Sequence, residues 1–239
     1  MSQKPLGRKN YGHIPHLPNS RMGSADKHCQ PGQAKIATVK TRDRLDTVIV
    51  QEKLDGSNVG IVRLGHEIIP IARSGYRAES SPYNQHHQFA RWLAAQYDRA
   101  MAVLQDGERL VGEWLYQAHG TRYRLTHEPF VAFDLMREDR RLVYDQFCDR
   151  VAQGNFTTPH VLHRGDALAV DRALALLGTY GHHGALEPVE GVVYRVERDR
   201  PRQGLVVDFL VKYVRPDKQD GIYLPEFSGQ DPVFNQSSV

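Results

Sequence analysis

Eight short apolar runs, each bounded by turn-forming residues, constrain this chain more than any other feature. They fall at 46–52, 58–64, 67–73, 109–116, 130–136, 140–144, 190–197 and 205–214. Several alternate apolar and polar residues with the period of two that marks a strand. Their hairpin-like spacing predicts antiparallel pairing, and with it an α+β fold rich in antiparallel sheet. One helical pattern covers 84–105 and sets Phe89, Leu93, Tyr97, Met101 and Leu104 on one face, with Pro82 before its start and Gly107 past its end. Residues 145–153 and 166–177 read as two more helices. There is no internal repeat and no GxxxxGK[ST] phosphate loop.

The length of 239 residues allows a sizeable core and one large domain, and 40% apolar with 25% charged residues is ordinary for a globular protein. No run approaches the roughly 18 apolar residues of a membrane span, and the polar start is not a secretory signal. Cys29 and Cys148 form neither a CxxC pair nor a disulfide framework, so a reducing cytoplasm is the expected setting. His86-His87 and His182-His183 lack metal-ligand spacing and read as surface histidines. The net charge of +3 is unevenly spread. Residues 1–42 carry Lys4, Arg8, Lys9, Arg21, Lys27, Lys35, Lys40 and Arg42 against Asp26 alone. Such a basic, loosely structured arm suits contact with a phosphate backbone. Its Tyr11, Ile14 and Leu17 are expected to pack on the rest of the chain.

Chemistry concentrates at Lys53-Leu54-Asp55-Gly56, directly after the apolar Val48-Ile49-Val50. This places an amine beside a carboxylate and a flexible glycine at the end of a buried strand. An ordinary lysine titrates near ~10.4, so about one molecule in a thousand is nucleophilic at neutral pH. Burial and neighbouring cations lower that value. Downstream, in order, come Arg73-Ser74-Gly75, Gly112-Glu113-Trp114-Leu115-Tyr116, Phe130-Val131-Ala132-Phe133-Asp134, Glu190-Gly191-Val192-Val193-Tyr194-Arg195 and Phe209-Leu210-Val211-Lys212-Tyr213-Val214. Singly, Glu113 or Glu190 is a solvated strand glutamate, Phe133 a core aromatic and Arg73 a surface arginine. The ordered series is what sets them apart.

In that order the segments resemble the nucleotide-binding motifs of the covalent nucleotidyltransferase superfamily: RNA ligases, DNA ligases and mRNA capping enzymes. Within it the chain is most similar to the ATP-dependent RNA ligases, over about residues 45–216. The resemblance implies an adenylation domain of the ATP-grasp-like ligase and capping-enzyme type. It also implies a three-step reaction in which Lys53 takes AMP from ATP, passes it to a 5′-phosphate RNA end, and a 3′-hydroxyl then displaces it. Glu113 would hold the ribose, Phe133 would stack on adenine, and Arg73 and Lys212 would contact phosphates. Glu52, Lys53, Gly56, Arg73, Glu113, Phe133, Glu190 and Lys212 form the implied nucleotide-binding set. Lys53, Asp55, Glu190 and Lys212 form the catalytic set, with Asp55 and Glu190 as carboxylates for Mg²⁺ or Mn²⁺. Such chemistry needs positive charge at the phosphate oxygens, and the same cations would depress the Lys53 pKa.

The chain departs from the pattern in two places. Many relatives carry two lysines two positions apart in the last motif, whereas here Leu210 stands at the first position and Lys212 alone remains. DNA ligases and capping enzymes also carry an OB-fold domain, for which neither the residues before the catalytic strand nor those after Lys212 provide enough strands. The expected organisation is a basic extension (1–42), an adenylation domain (43–216) and a tail (217–239), without an OB-fold and with room for an accessory protein. A DNA ligase, a GTP-using capping-type enzyme and a non-catalytic RNA-end-binding protein are the alternatives.

Overall fold

Strand alternation decides which side chains face which layer, and here it produces two stacked sheets with a cleft between them. The computed structural model describes residues 4–237. In chain order the elements are α1 (Pro31–Thr38), β1 (Asp46–Lys53), β2 (Ser57–Leu64), β3 (Glu67–Ala72), α2 (Asn84–Ala94) and α3 (Tyr97–Val103). There follow β4 (Glu108–Trp114), β5 (Arg124–Leu125), β6 (Phe130–Arg137), β7 (Arg140–Arg141), α4 (Tyr144–Gln153) and β8 (Val161–Gly165). The last are α5 (Val170–Leu177), β9 (Gly191–Arg200), β10 (Gly204–Val214), α6 (Pro225–Ser228) and β11 (Gln236–Ser237). One sheet has the order β10-β9-β1-β8 and the other β3-β2-β4-β6-β7, all antiparallel. A short parallel pair joins β11 to β5. The α+β, antiparallel fold class expected from the sequence is the observed one.

In the first sheet Val48, Val50, Val192, Tyr194, Val196, Val211 and Tyr213 share a face and pack with residues of α1 and α5. Their immediate neighbours Gln51, Lys53, Arg195 and Lys212 must therefore face the other way, into the cleft. In the second sheet Val59, Ile61, Leu110, Trp114 and Phe130 pack beneath α2, α3 and α4. Asn58, Val111 and Glu113 then face the cleft from that side. The cleft is thus lined from both sheets by the residues left over after each has buried its apolar face.

Several elements differ from the sequence expectation for physical reasons. The single helix expected over 84–105 is two, because the backbone leaves helical geometry at Gln96 (φ −110°, ψ 15°). The break rotates the second piece, so that Ala100, Val103 and Leu104 are buried while Tyr97 is exposed and donates its hydroxyl to His66 O. β7 covers two residues of the expected 140–144 strand, since Tyr144 already opens α4. β8 carries no strong apolar signal and pairs with β1 as an edge.

The basic stretch expected to be loose is packed. Tyr11 and Leu17 are buried, as is Asn10, and Ile14 packs against the cluster of Tyr11, Val111 and Met136. Residues 15–17 run beside β10, with Lys212 N donating to Pro15 O (3.0 Å) and Leu17 N to Lys212 O (2.8 Å). The stretch owes its order to backbone groups that need partners, which a reading of its charge alone does not show. Among the described residues no helix is long and apolar enough to cross a membrane.

Candidate active site

Lys53 ends β1, where its cross-strand partner is Gly191. That register brings Glu190 beside it, and Lys53 Nζ lies 2.5 Å from Glu190 Oε2. Gly191 has φ +155°, and a Cβ there would sit 2.0 Å from Tyr213 O, so a glycine is required where β9 leaves Glu190. Gly56 is forced in the same way, because a Cβ would lie 2.6 Å from Trp114 O. With β4 so close, Gly56 N donates to Glu113 Oε1 at 3.2 Å. The turn after Lys53 thereby ties the two sheets together at the cleft.

The electrostatics are dominated by an excess of carboxylate. Burial works against the Lys53 charge, but Glu190, then Glu113 and Asp55, outweigh it and hold the amine above its ordinary pKa. Burial pushes Glu113 up to about 7 against the pull of Lys53, with Glu190 and Asp55 adding to the rise. Burial raises Glu190 as well. All three shifts favour holding protons, so the cluster is short of positive charge. This corrects the expectation that neighbouring cations depress Lys53. In this state the amine is held in an ion pair with Glu190.

Asp55 is held differently. Its Oδ2 accepts from Gly120 N (3.0 Å) and Thr121 Oγ1 (3.2 Å) and lies 3.2 Å from Lys218 Nζ, while its own N–H donates to Tyr123 Oη. Only Oδ1 remains for water or an ion. Lys212 shares the cleft face, and burial together with the Lys53 charge lowers its pKa. It stands 3.8 Å from Asp26 Oδ1. Arg73 is exposed at the rim, its Nη2 3.4 Å from His13 Nδ1.

Phe133 is the extra residue of a bulge, since Asp134 pairs with Val111 and Ala132 with Gly112. The bulge turns its ring toward the cleft side, edge-on to Tyr11 with centroids 5.2 Å apart. Leu210 pairs with Arg195. A lysine there would stand beside a buried guanidinium, which explains an apolar residue at that position.

Glu52 requires a correction. It neighbours Lys53 in sequence, but its carboxylate is on the opposite face of β1, buried against Gly181, with His182 N donating to Oε2 at 2.8 Å. Burial raises it to about 7. The structure gives its side chain no contact with the cleft. His183 is likewise not on the surface: it is buried, 2.9 Å from His127 Nε2 through Nδ1, and accepts from His160 N. Sequence reasoning missed Lys218, Tyr123 and His16. His16 is buried, with Nδ1 2.7 Å from Ser20 Oγ and Nε2 3.1 Å from Asp26 Oδ2, in a geometry poorly aligned for a hydrogen bond on the Asp26 side. Only the Tyr11–Ser20 phrase hinted at it.

A lysine among carboxylates thus lies between two antiparallel sheets, and solved structures share the fold. A Naegleria gruberi RNA ligase variant determined with ATP and Mn superposes with a TM-score of 0.54 at 15% identity, over 87% of this chain and 60% of that one. An apo variant of the same ligase gives 0.53 at 16% identity, over 92% and 62%. An archaeal ATP-dependent RNA ligase aligns less well, at 0.45 and 16% identity, over 85% and 48%. The chain therefore spans less than two thirds of these proteins. Among curated proteins none matches it. The chain belongs to the RNA ligase family, which it matches over residues 46–214.

Proposed function

We propose that this protein is an ATP-dependent RNA ligase that seals 5′-phosphate and 3′-hydroxyl RNA ends through a lysyl-AMP on Lys53. The observation that carries the reading is the Lys53 amine, partly exposed in the cleft and 2.5 Å from Glu190, in a chain of the RNA ligase family. Lys53 Nζ forms a bond to the α-phosphorus of ATP, the bond from that phosphorus to the bridging oxygen breaks, and pyrophosphate departs. Nζ must shed a proton, and Glu190 Oε2 is the nearest acceptor. The 5′-phosphate of the RNA then takes the AMP, and attack by the 3′-hydroxyl releases it.

Lys212 on the cleft face and Arg73 at the rim are suited to the phosphate oxygens. Glu113 is suited to the ribose hydroxyls and the half-buried Phe133 ring to the adenine face. The carboxylate excess fits a divalent ion, held by Glu190 and through water by Asp55. Among the described residues no three His, Cys, Asp or Glu side chains converge as a ligand set, which suits Mg²⁺, an ion that keeps several waters and uses one or two carboxylates with phosphates. When bound, Mg²⁺ or Mn²⁺ supplies positive charge to the phosphate oxygens. Cys29 and Cys148 are free, which fits a cytoplasmic setting.

The test is incubation with Mg²⁺ and ATP labelled at the α-phosphate, followed by denaturing electrophoresis and peptide mapping. Label on the peptide containing Lys53, and joined product from 5′-phosphorylated RNA, are expected. A folded protein that takes no label would sink the reading.

A further inference from the structure

We infer that Lys218 is a positioning residue for the Lys53 site, acting through Asp55; the inference rests on the ligase reading above. Its side chain is 5% exposed and carries an ammonium into the interior. That ammonium stands 3.2 Å from Asp55 Oδ2, donates to Gly120 O at 2.7 Å and to Thr121 Oγ1, and reaches Pro188 O at 3.5 Å. These contacts join three segments. Asp55 is two residues from Lys53, Gly120 and Thr121 belong to the loop that follows β4 and Glu113, and Pro188 is two residues before Glu190. Lys218 N also donates to Arg215 O, and Arg215 N to Glu190 O, so the chain entering Lys218 is hydrogen-bonded to the same corner.

Burying an ammonium is costly unless it is paired and its hydrogen bonds are met. Lys218 meets that condition by using every one of these loops at once. Its partner gains as much, because Asp55 would otherwise be one more uncompensated carboxylate near Lys53. The ammonium fixes the turn that follows Lys53 relative to Glu190 and leaves the Lys53 amine facing Glu190 and Glu113. A lysine outside the recurring motifs, in a segment rich in Pro, Gly and Gln, thus acts as the clamp of the site.

The experiment measures the single-turnover rate of lysyl-AMP formation, over a range of ATP concentrations, in the full chain and in Lys218→Met, Lys218→Arg, Asp55→Asn and the Asp55→Asn/Lys218→Met pair, with thermal melting of each. Misplacing a nucleophile by about 1 Å costs on the order of a hundredfold, so Lys218→Met is expected to slow labelling by about that factor while the ATP dependence changes little. Lys218→Arg, which keeps the charge, should recover most of the rate. The double variant removes both buried charges and keeps the test valid if Lys218→Met fails to fold. It should label as fast as Asp55→Asn alone. Labelling of Lys218→Met at the wild-type rate, or a double variant much slower than Asp55→Asn, overturns the inference. Absence of label from the wild-type chain would instead refute the ligase reading itself.

Discussion

Two buried charge clusters lie between the same two sheets, and they are built to opposite ends. Around Asp134 the cations win: Arg195, Arg141 and the Tyr11 hydroxyl all donate to one carboxylate, and Arg141 also lies over the Tyr11 ring. Arg195 is almost fully buried and also lies 3.7 Å from Glu197. Around Lys53 the carboxylates win, with Glu190 in contact and Glu113 and Asp55 nearby. The first cluster pairs its charges within the chain and serves as a rivet between the sheets. The second is left short of positive charge on the side open to solvent. The difference teaches that an ion pair alone does not mark a candidate site; an uncompensated imbalance of charge is the better pointer.

The comparison breaks first at Lys53. Lys53→Ala is expected to abolish covalent AMP labelling while keeping the circular-dichroism spectrum, since Glu190 can take a proton once its partner is gone. An adduct that persists would move the nucleophile elsewhere. Next comes the rivet: Asp134→Ala leaves the Arg195 guanidinium buried without its main carboxylate, and the cost should be about 3–5 kcal/mol in urea unfolding. An unchanged midpoint would mean that the two clusters do not differ in kind.

Glu52 extends the comparison to a buried carboxylate faced by the His182 imidazole, whose Nδ1 lies 3.5 Å from Oε2. Its pKa in the folded state is raised from 4.5 to about 7. Between those values the folded chain therefore binds more protons than the unfolded one, and this group's contribution makes stability fall as pH rises through that window. Glu52→Gln should remove the slope, so the variant gains on the wild type by up to about 3 kcal/mol between pH 4.5 and pH 8. A difference that does not vary with pH would place the carboxylate in a polar setting. Smallest is Phe133→Ala, expected to weaken ATP half-saturation by ~1–3 kcal/mol, the value of a base stacked on an aromatic face. No change would leave the ring to its contact with Tyr11.

Most of the frame was legible because strands that bury one face repeat with period two, and the segments carrying Lys53, Glu113, Glu190 and Lys212 all lie in or beside such strands. The orientation of Glu52 was also readable, since neighbours on a strand point to opposite faces, but the motif drew attention to proximity in sequence instead. Lys218 and His16 were not readable. Lys218 becomes significant through Asp55, far along the chain, and His16 through the strap that sets it and Asp26 beside Lys212, and nothing local distinguishes a buried lysine from a solvated one. The helix break at Gln96 belongs to the same class, because it is imposed by how two pieces seat on the second sheet and α4.

The strap formed by residues 15–17 has a consequence for how the protein is made. Its backbone pairs with Lys27 and Cys29 nearby and with Lys212, and the two halves of the Lys212 contact are made about two hundred residues of synthesis apart, the kind of distant closure that slows folding. Until β10 emerges, Leu17 N lacks its acceptor, Lys212 O. A nascent chain interrupted before β10 would possess the Lys53 amine without Lys212 or the wall beside it.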